Sequence, residues 1–262
     1  MDLQLGGKRA LVTGGSRGIG LAVARELLAE GARVAVVARD GAALDAAVTS
    51  LGEGAVAIVA DTGDDESVRA MAARATELLG GVDILVNSAA RAAVPGAAPK
   101  LGDITDDAVR DELEIKVLGY LRCARALAPG MVERGWGRII NISGLNARMA
   151  TSLIGSVRNV SVAAMTKNLA DELGPAGINV TVVHPGYTIT ERTPEVLAGI
   201  AAARGVGEDE VAAGIAAATS IGRIVTAEEV ASVVTFLASP RSVSIAGDAV
   251  ATGGGMRGPI YY

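Results

Sequence analysis

One Trp, one Phe and four Tyr are the only aromatic side chains among 262 residues, so the core must be built from Ala, Val, Leu and Ile. So few rings leave little for nucleobases to stack on, and a net charge of -5 gives no electrostatic reason for nucleic-acid binding. A single cysteine, Cys123, cannot close an internal disulfide, and its neighbours Leu121 and Ala124 mark it as buried filler. His184 is the only histidine, and no metal site is expected. No apolar run is long enough to span a bilayer, and the start MDLQLGGKR lacks the basic-then-apolar layout of a secretion signal. A cytoplasmic protein with no membrane partner is the expectation. What is plentiful is small or apolar: half of the residues are hydrophobic, 34 are glycine and 20% are charged, the balance of a globular chain. One domain over 1–262 is expected.

The most informative glycines lie in LVTGGSRGIG, from Leu11 to Gly20. An apolar run turns there into a glycine loop and then into an amphipathic helix. Gly14, Gly18 and Gly20 leave three positions bare, so the backbone can bend sharply and approach a ligand closely. The free N–H groups at the helix start attract an anion, and a dinucleotide phosphate is the guest this implies.

Around that turn the chain alternates. Apolar runs at Lys8 to Val12, Arg33 to Ala38, Ala55 to Ala60, Val82 to Val86, Arg138 to Ile142 and Ile178 to Val183 read as buried strands. Helical stretches separate them, including one from Asp106 to about Arg134, ended or kinked by Pro129 and Gly130, and one from about Val157 to Leu173. Pro95, Gly96 and Pro99 make Arg91 to Gly102 a loop over the strand ends. Residues 187–225 lose the rhythm and are expected to form a substrate lid. Thr226 to Glu229 is a capping box opening a last helix, and Asp248 to Ala251 reads as a seventh strand. The result is an α/β doubly wound parallel sheet of about seven strands with helices on both faces.

Several motifs in register resemble the short-chain dehydrogenase/reductase family across essentially the whole chain. TGGSRGIG is similar to its cofactor turn, Asp61-Thr62 to its adenine-contacting acid, and Asn87-Ser88-Ala89-Ala90 to its Asn-Asn-Ala-Gly motif. Asn141-Ile142-Ser143, LADEL from Leu169 to Leu173, His184-Pro185-Gly186 with Thr190, and Gly253-Gly254 complete the match. The resemblance implies a Rossmann-type fold and a cofactor site built from Gly14, Ser16, Arg17, Gly18, Ile19, Gly20, Arg39, Asp61, Thr62, Asn87, Ala89, Pro185, Gly186 and Thr190. It also implies a homo-oligomer, a dimer or tetramer, acting on a small-molecule substrate. An acid ending the second strand would hydrogen-bond the ribose diol of NAD; Ala38 and Arg39 stand there instead, with Arg17 inside the turn, which favours NADP(H) over NAD(H), although Asp40 comes next.

The family's catalytic set is not retained. Counting back from Thr166-Lys167-Asn168, Gly155 occupies the position of the family's Tyr and Asn159 that of its Lys. The carbonyl-polarising serine maps to Gly144, with Ser143 one residue early, and the tetrad asparagine maps to Lys116. Lys116 and Asn159 thus exchange residue types, and Lys116 is expected to restore a cation near the nicotinamide ribose, hydrogen-bonded to Asn159. Tyr187, His184 and Lys116 are all candidates for the proton-carrying group, while Arg148 and Arg158 could face an acidic substrate. Three functions fit: an NADP-dependent oxidoreductase with an atypical site, a non-catalytic dinucleotide-binding homologue, and a non-redox reaction on the same scaffold.

Overall fold

The structure is a computed structural model that describes residues 1–91 and 98–258. Strand β1 (Arg9–Thr13) leads through the glycine turn into α1 (Gly18–Ala29), then β2 (Arg33–Ala38), α2 (Gly41–Leu51), β3 (Ala55–Val59), α3 (Asp65–Leu79) and β4 (Ile84–Asn87). After the partly described loop come α4 (Asp106–Leu113), a π-helical turn (Glu114–Leu118) and α5 (Gly119–Glu133). Then follow β5 (Gly137–Ile142), α6 (Leu153–Leu173), β6 (Ile178–Pro185) and β7 (Thr188–Ile189). Helices α7 (Thr193–Arg204) and α8 (Glu208–Ala217), β8 (Val225–Thr226), α9 (Ala227–Ala238) and β9 (Ala249–Thr252) complete the order.

Seven strands form one parallel sheet in the order β3-β2-β1-β4-β5-β6-β9. The apolar runs are continuous because both faces of the sheet are covered. Val12, Val34, Val36 and Ile140 face α1 and α9, while Leu11, Ala35, Leu85 and Ile139 face α3 and α5. The chain order reverses between β1 and β4, which opens a crevice at their carboxyl ends. The short pair β7–β8 lies outside the main sheet.

Three expectations change. Pro129 and Gly130 do not end α5, which continues to Glu133 because Leu127, Ala128 and Met131 bury on the same face. Helix α6 begins at Leu153, four residues before the expected start, because Ser152 Oγ accepts from the Gly155 N–H at 3.1 Å and caps it. The third change is a break in the long helix expected from Asp106 to Arg134, where the π turn at Glu114–Leu118 separates α4 from α5. The capping box at Thr226 and Glu229 forms as expected. Pro95 and Gly96 of the expected loop, and Pro259 to Tyr262 of the tail, lie outside the described residues.

Candidate active site

A buried polar row lies beneath the crevice. Thr13, Asn87 and Asn141 are register partners across β1, β4 and β5, each with no exposed surface. Asn87 Nδ2 donates to Asn141 Oδ1 at 2.9 Å, and Asn141 Nδ2 donates to Thr166 Oγ1 on α6 at 3.0 Å. Thr13 Oγ1 accepts from the Ser88 and Ala89 N–H groups at 3.1 and 3.2 Å, fixing the backbone after β4 against the glycine turn. The structure thus gives Thr13 a role that sequence spacing did not reveal.

Gly14 has φ +66 and Gly18 has φ +55, conformations that favour glycine. A Cβ at Gly14 would stand 2.9 Å from the Ala89 backbone, and one at Gly20 would strike the Gly14 carbonyl. The loop is therefore wound as tightly as a phosphate cradle requires, with Gly18, Ile19 and Gly20 opening α1. An anion from the chain already sits there: Gly18 N–H donates to Glu191 Oε2 at 3.2 Å. Thr190 lies beside it, its methyl 3.6 Å from the place of a Gly18 Cβ, so the segment after Pro185-Gly186 closes over the turn. Gly186 itself packs against Gly253, where an added Cβ would meet the Gly253 Cα at 2.9 Å.

Ser16 is half-buried and Arg17 exposed in the turn, while Arg39 stands exposed after β2, its Nη1 3.9 Å from Asp61 Oδ2. Asp40 caps α2, its Oδ1 accepting from the Ala43 N–H at 3.1 Å. Asp61 also receives the Gly63 N–H at 2.9 Å, and Thr62 is buried against Gly119. The residues present fit a dinucleotide: bare backbone and the N–H groups opening α1 suit its pyrophosphate.

Lys116, in the π turn, is only 6% exposed, and its Nζ donates to Ser143 O at 2.7 Å. The expected Asn159 partner is one step removed, since Ser143 Oγ donates to Asn159 O at 3.1 Å. Burial, with the Arg158 guanidinium adding to it and Glu112 opposing, lowers the Lys116 ammonium to about 7. Arg158 itself pairs with Glu112 and is not open to an acidic substrate. His184 is buried with Nδ1 unpartnered, and burial together with Arg148 and Lys116 lowers it to about 4, so it is neutral near neutral pH. Arg148 Nη2 donates to Ala249 O at 3.2 Å. Tyr187 is 56% exposed. Burial raises the Cys123 thiol to about 12, which keeps it inert.

Residues 8–200 match the short chain dehydrogenase family. The chain belongs to that family. The Streptomyces niveus short-chain reductase protein NovJ is 37% identical over 250 residues, 94% of this chain and 92% of NovJ. The Vibrio cholerae 3-oxoacyl-[acyl-carrier-protein] reductase FabG is 32% identical over 256 residues, 97% and 99% of the two chains. Among solved structures, L-sorbose reductase from Gluconobacter frateurii, complexed with NADPH and L-sorbose, superposes with a TM-score of 0.90 at 30% identity, covering 99% of this chain and 100% of that one. Actinorhodin polyketide ketoreductase with NADPH gives 0.87 at 33% identity over 94% and 96%. The fold of this short chain dehydrogenase is thus the Rossmann-type sheet of its NADPH-bound neighbours. No helix among the described residues is long and apolar enough to cross a membrane.

Proposed function

We propose that this short chain dehydrogenase binds NADP(H) and oxidises or reduces a small alcohol or carbonyl compound with an atypical catalytic group. The observation that carries the reading is the buried Lys116 amine at the carboxyl end of β5, on the same sheet edge as the glycine turn. When bound, the nicotinamide supplies or accepts the hydride. Gly14, Ser16, Gly18, Ile19, Gly20 and Thr190 hold the pyrophosphate side, and Arg17 and Arg39 the ribose phosphate. Asp61, Thr62, Asn87, Ala89, Pro185 and Gly186 line the remaining contacts. Lys116, lowered to about 7, gives or takes the proton, with Ser143 and the Asn159 backbone fixing its place. Tyr187 and the segment 187–225 wall the substrate side, and two copies or more assemble. The rival reading, a dinucleotide-binding homologue without turnover, is favoured by Gly155 standing where the resemblance calls for Tyr.

Fluorescence titration with NADPH and NADH, then assays over aldehydes, ketones and imines, separates the two. NADPH is expected to bind at least about tenfold more tightly, a preference Arg39→Asp abolishes, with turnover lost in Lys116→Met. Tight binding with no turnover on any substrate supports the rival, and failure to bind either dinucleotide sinks both.

A further inference from the structure

A regular helix would pair Glu112 with Lys116, since a carboxylate four residues before a lysine lies on the same face and in the favoured order. The structure makes a different pair. The π turn carries Lys116 inward, where its Nζ donates to Ser143 O at 2.7 Å, and the amine has no ion pair among the described residues. Glu112 goes instead to Arg158 on α6, 46 residues away in the chain, whose Nη1 pairs with its Oε2. The two side chains are only 19% and 25% exposed, so solvent ions screen them weakly. Arg158 is fixed from its other edge as well, its Nε donating to Asn159 Oδ1 at 3.3 Å. Asn159 O in turn accepts from Ser143 Oγ at 3.1 Å, and Ser143 O holds Lys116. These contacts close a ring from α4 through α6 and the end of β5 back to the π turn. Arg158 has taken the carboxylate that spacing along the chain assigns to the amine.

We propose that Arg158 and Glu112 are positioning residues for Lys116: the guanidinium keeps the carboxylate from the amine, which leaves the amine without a counter-ion and able to exchange its proton. The inference rests on the reading of Lys116 as the proton-carrying group and adds what controls that group. The signs follow from charge. Arg158 disfavours the ammonium and Glu112 favours it, on top of the burial that is the main cause of its lowering to about 7. Losing Arg158 removes a repelling cation and frees Glu112 to pair with Lys116, so both effects favour the ammonium. The other groups around the amine do not supply this control. His184 on β6 is neutral near neutral pH, held so by burial, Arg148 and Lys116 itself. Burial raises the Tyr120 phenol of α5, which donates to Ile142 O at 3.0 Å, and Glu114 of the π turn is paired with Arg122.

Lys8, Lys100, Lys116 and Lys167 are the only lysines, so the full chain labelled with ¹³C-lysine can be titrated by NMR, with Lys116→Met assigning the signal of interest. Its midpoint is expected to rise by about one pH unit or more in Arg158→Met and to fall in Glu112→Gln. Arg158→Lys, which keeps the charge, and the double variant Glu112→Gln/Arg158→Met are expected to stay within about half a unit of the parent. An unmoved midpoint in Arg158→Met overturns the proposal, as does an equal rise in the double variant, which would make lost packing the cause. Should Arg158→Met not fold, the other two single variants decide: a midpoint that does not fall in Glu112→Gln, or that rises in Arg158→Lys by about one unit, overturns it. The lysine signals report whether or not the chain turns over. The limb of the kcat/KM profile set by Lys116 is expected to move with the midpoint. A midpoint that moves while the limb stays put supports the control by the ion pair and overturns Lys116 as the proton carrier, so the two failures are told apart.

Discussion

Lys116 is held in a place where its charge is unwelcome, and that has a measurable sign. Its folded pKa of about 7 lies below a lysine's ordinary 10.5, so between those values the unfolded chain binds more protons than the folded one. Stability therefore rises with pH through that window, and the burial penalty is greatest below about 7. Lys116→Met is expected to be more stable than the parent by on the order of 2 kcal/mol at about pH 6, the gap narrowing towards about pH 10. Urea titrations at a series of pH values check this; a constant gap would show that the amine is not the cause. Gly144 offers a second test. Its φ of 171 is extended backbone that any residue adopts, so the obstacle to a side chain is the Asn159 amide alone. Gly144→Ser is expected to destabilise by about 1–2 kcal/mol, and Asn159→Ala in the same chain to recover most of the loss. Additive losses in the double-mutant cycle would refute that contact.

At the scale of elements, the site depends on two departures from regular structure. The π turn at Glu114–Leu118 interrupts what would be one helix from α4 to α5, and Lys116 lies within it. The other is the closure of the segment after β6 over α1. Glu191 accepts from Gly18 N–H at 3.2 Å, so a carboxylate occupies the positive end of α1 that a pyrophosphate would use. Glu191→Gln keeps the length and removes the charge. The variant is expected to bind NADPH about three- to tenfold more tightly, read by fluorescence titration, with a weaker dependence on salt. Unchanged affinity would mean that the carboxylate swings clear without consequence. Residues 254–257 belong to the same closure, since Ser220 and Ile221 N–H donate to Gly255 O and Gly254 O and Arg257 N–H donates to Ala218 O. The described part of the tail therefore docks on its own chain.

Across the whole molecule the two ends of the sheet do different work. The carboxyl ends carry the candidate site, and the opposite end carries a charged clamp. Arg9 Nε and Nη2 donate to Asp83 Oδ2 and Oδ1 at 2.8 and 2.5 Å, and Arg134 Nε reaches Oδ1 at 3.3 Å, tying β1 and the approach to β4 to the end of α5. Burial pushes the Asp83 carboxyl up, but the Arg9 hydrogen bonds and charge, with Arg134, outweigh it and hold it below its ordinary value. Its stabilisation is therefore present above the ordinary carboxylate range and is lost as pH falls through the depressed folded value. Asp83→Asn is expected to cost about 2–3 kcal/mol in urea unfolding at neutral pH, with NADPH affinity unchanged. Loss of affinity in a folded variant would contradict the division of labour.

The sheet was legible from Lys8 to Val183 because strand and helix are written in local periodicity, and Gly14, Gly18 and Gly20 announced a tight turn because Gly14 and Gly18 have positive φ and a Cβ at Gly20 would strike the Gly14 carbonyl. The seventh strand and the Thr226 cap were legible for the same reason. Pro129 does not end α5, whose last residue Glu133 agrees with the expected helix end near Arg134, because its local cost is outweighed by Leu127 and Met131 packing on the same buried face, a term that no local pattern contains. Thr13, Asn146 and Glu191 gave no signal, since their meaning lies in partners brought close by the fold, in Glu191's case 173 residues away. The sequence by itself determined the alternation, the cradle and the bare positions at Gly144 and Gly155. Only the tertiary structure decided that Asn159 and Asn146 fill those spaces and that Lys116 turns inward to Ser143 O, because a side chain's partner depends on how separate elements pack and spacing along the chain does not encode that packing.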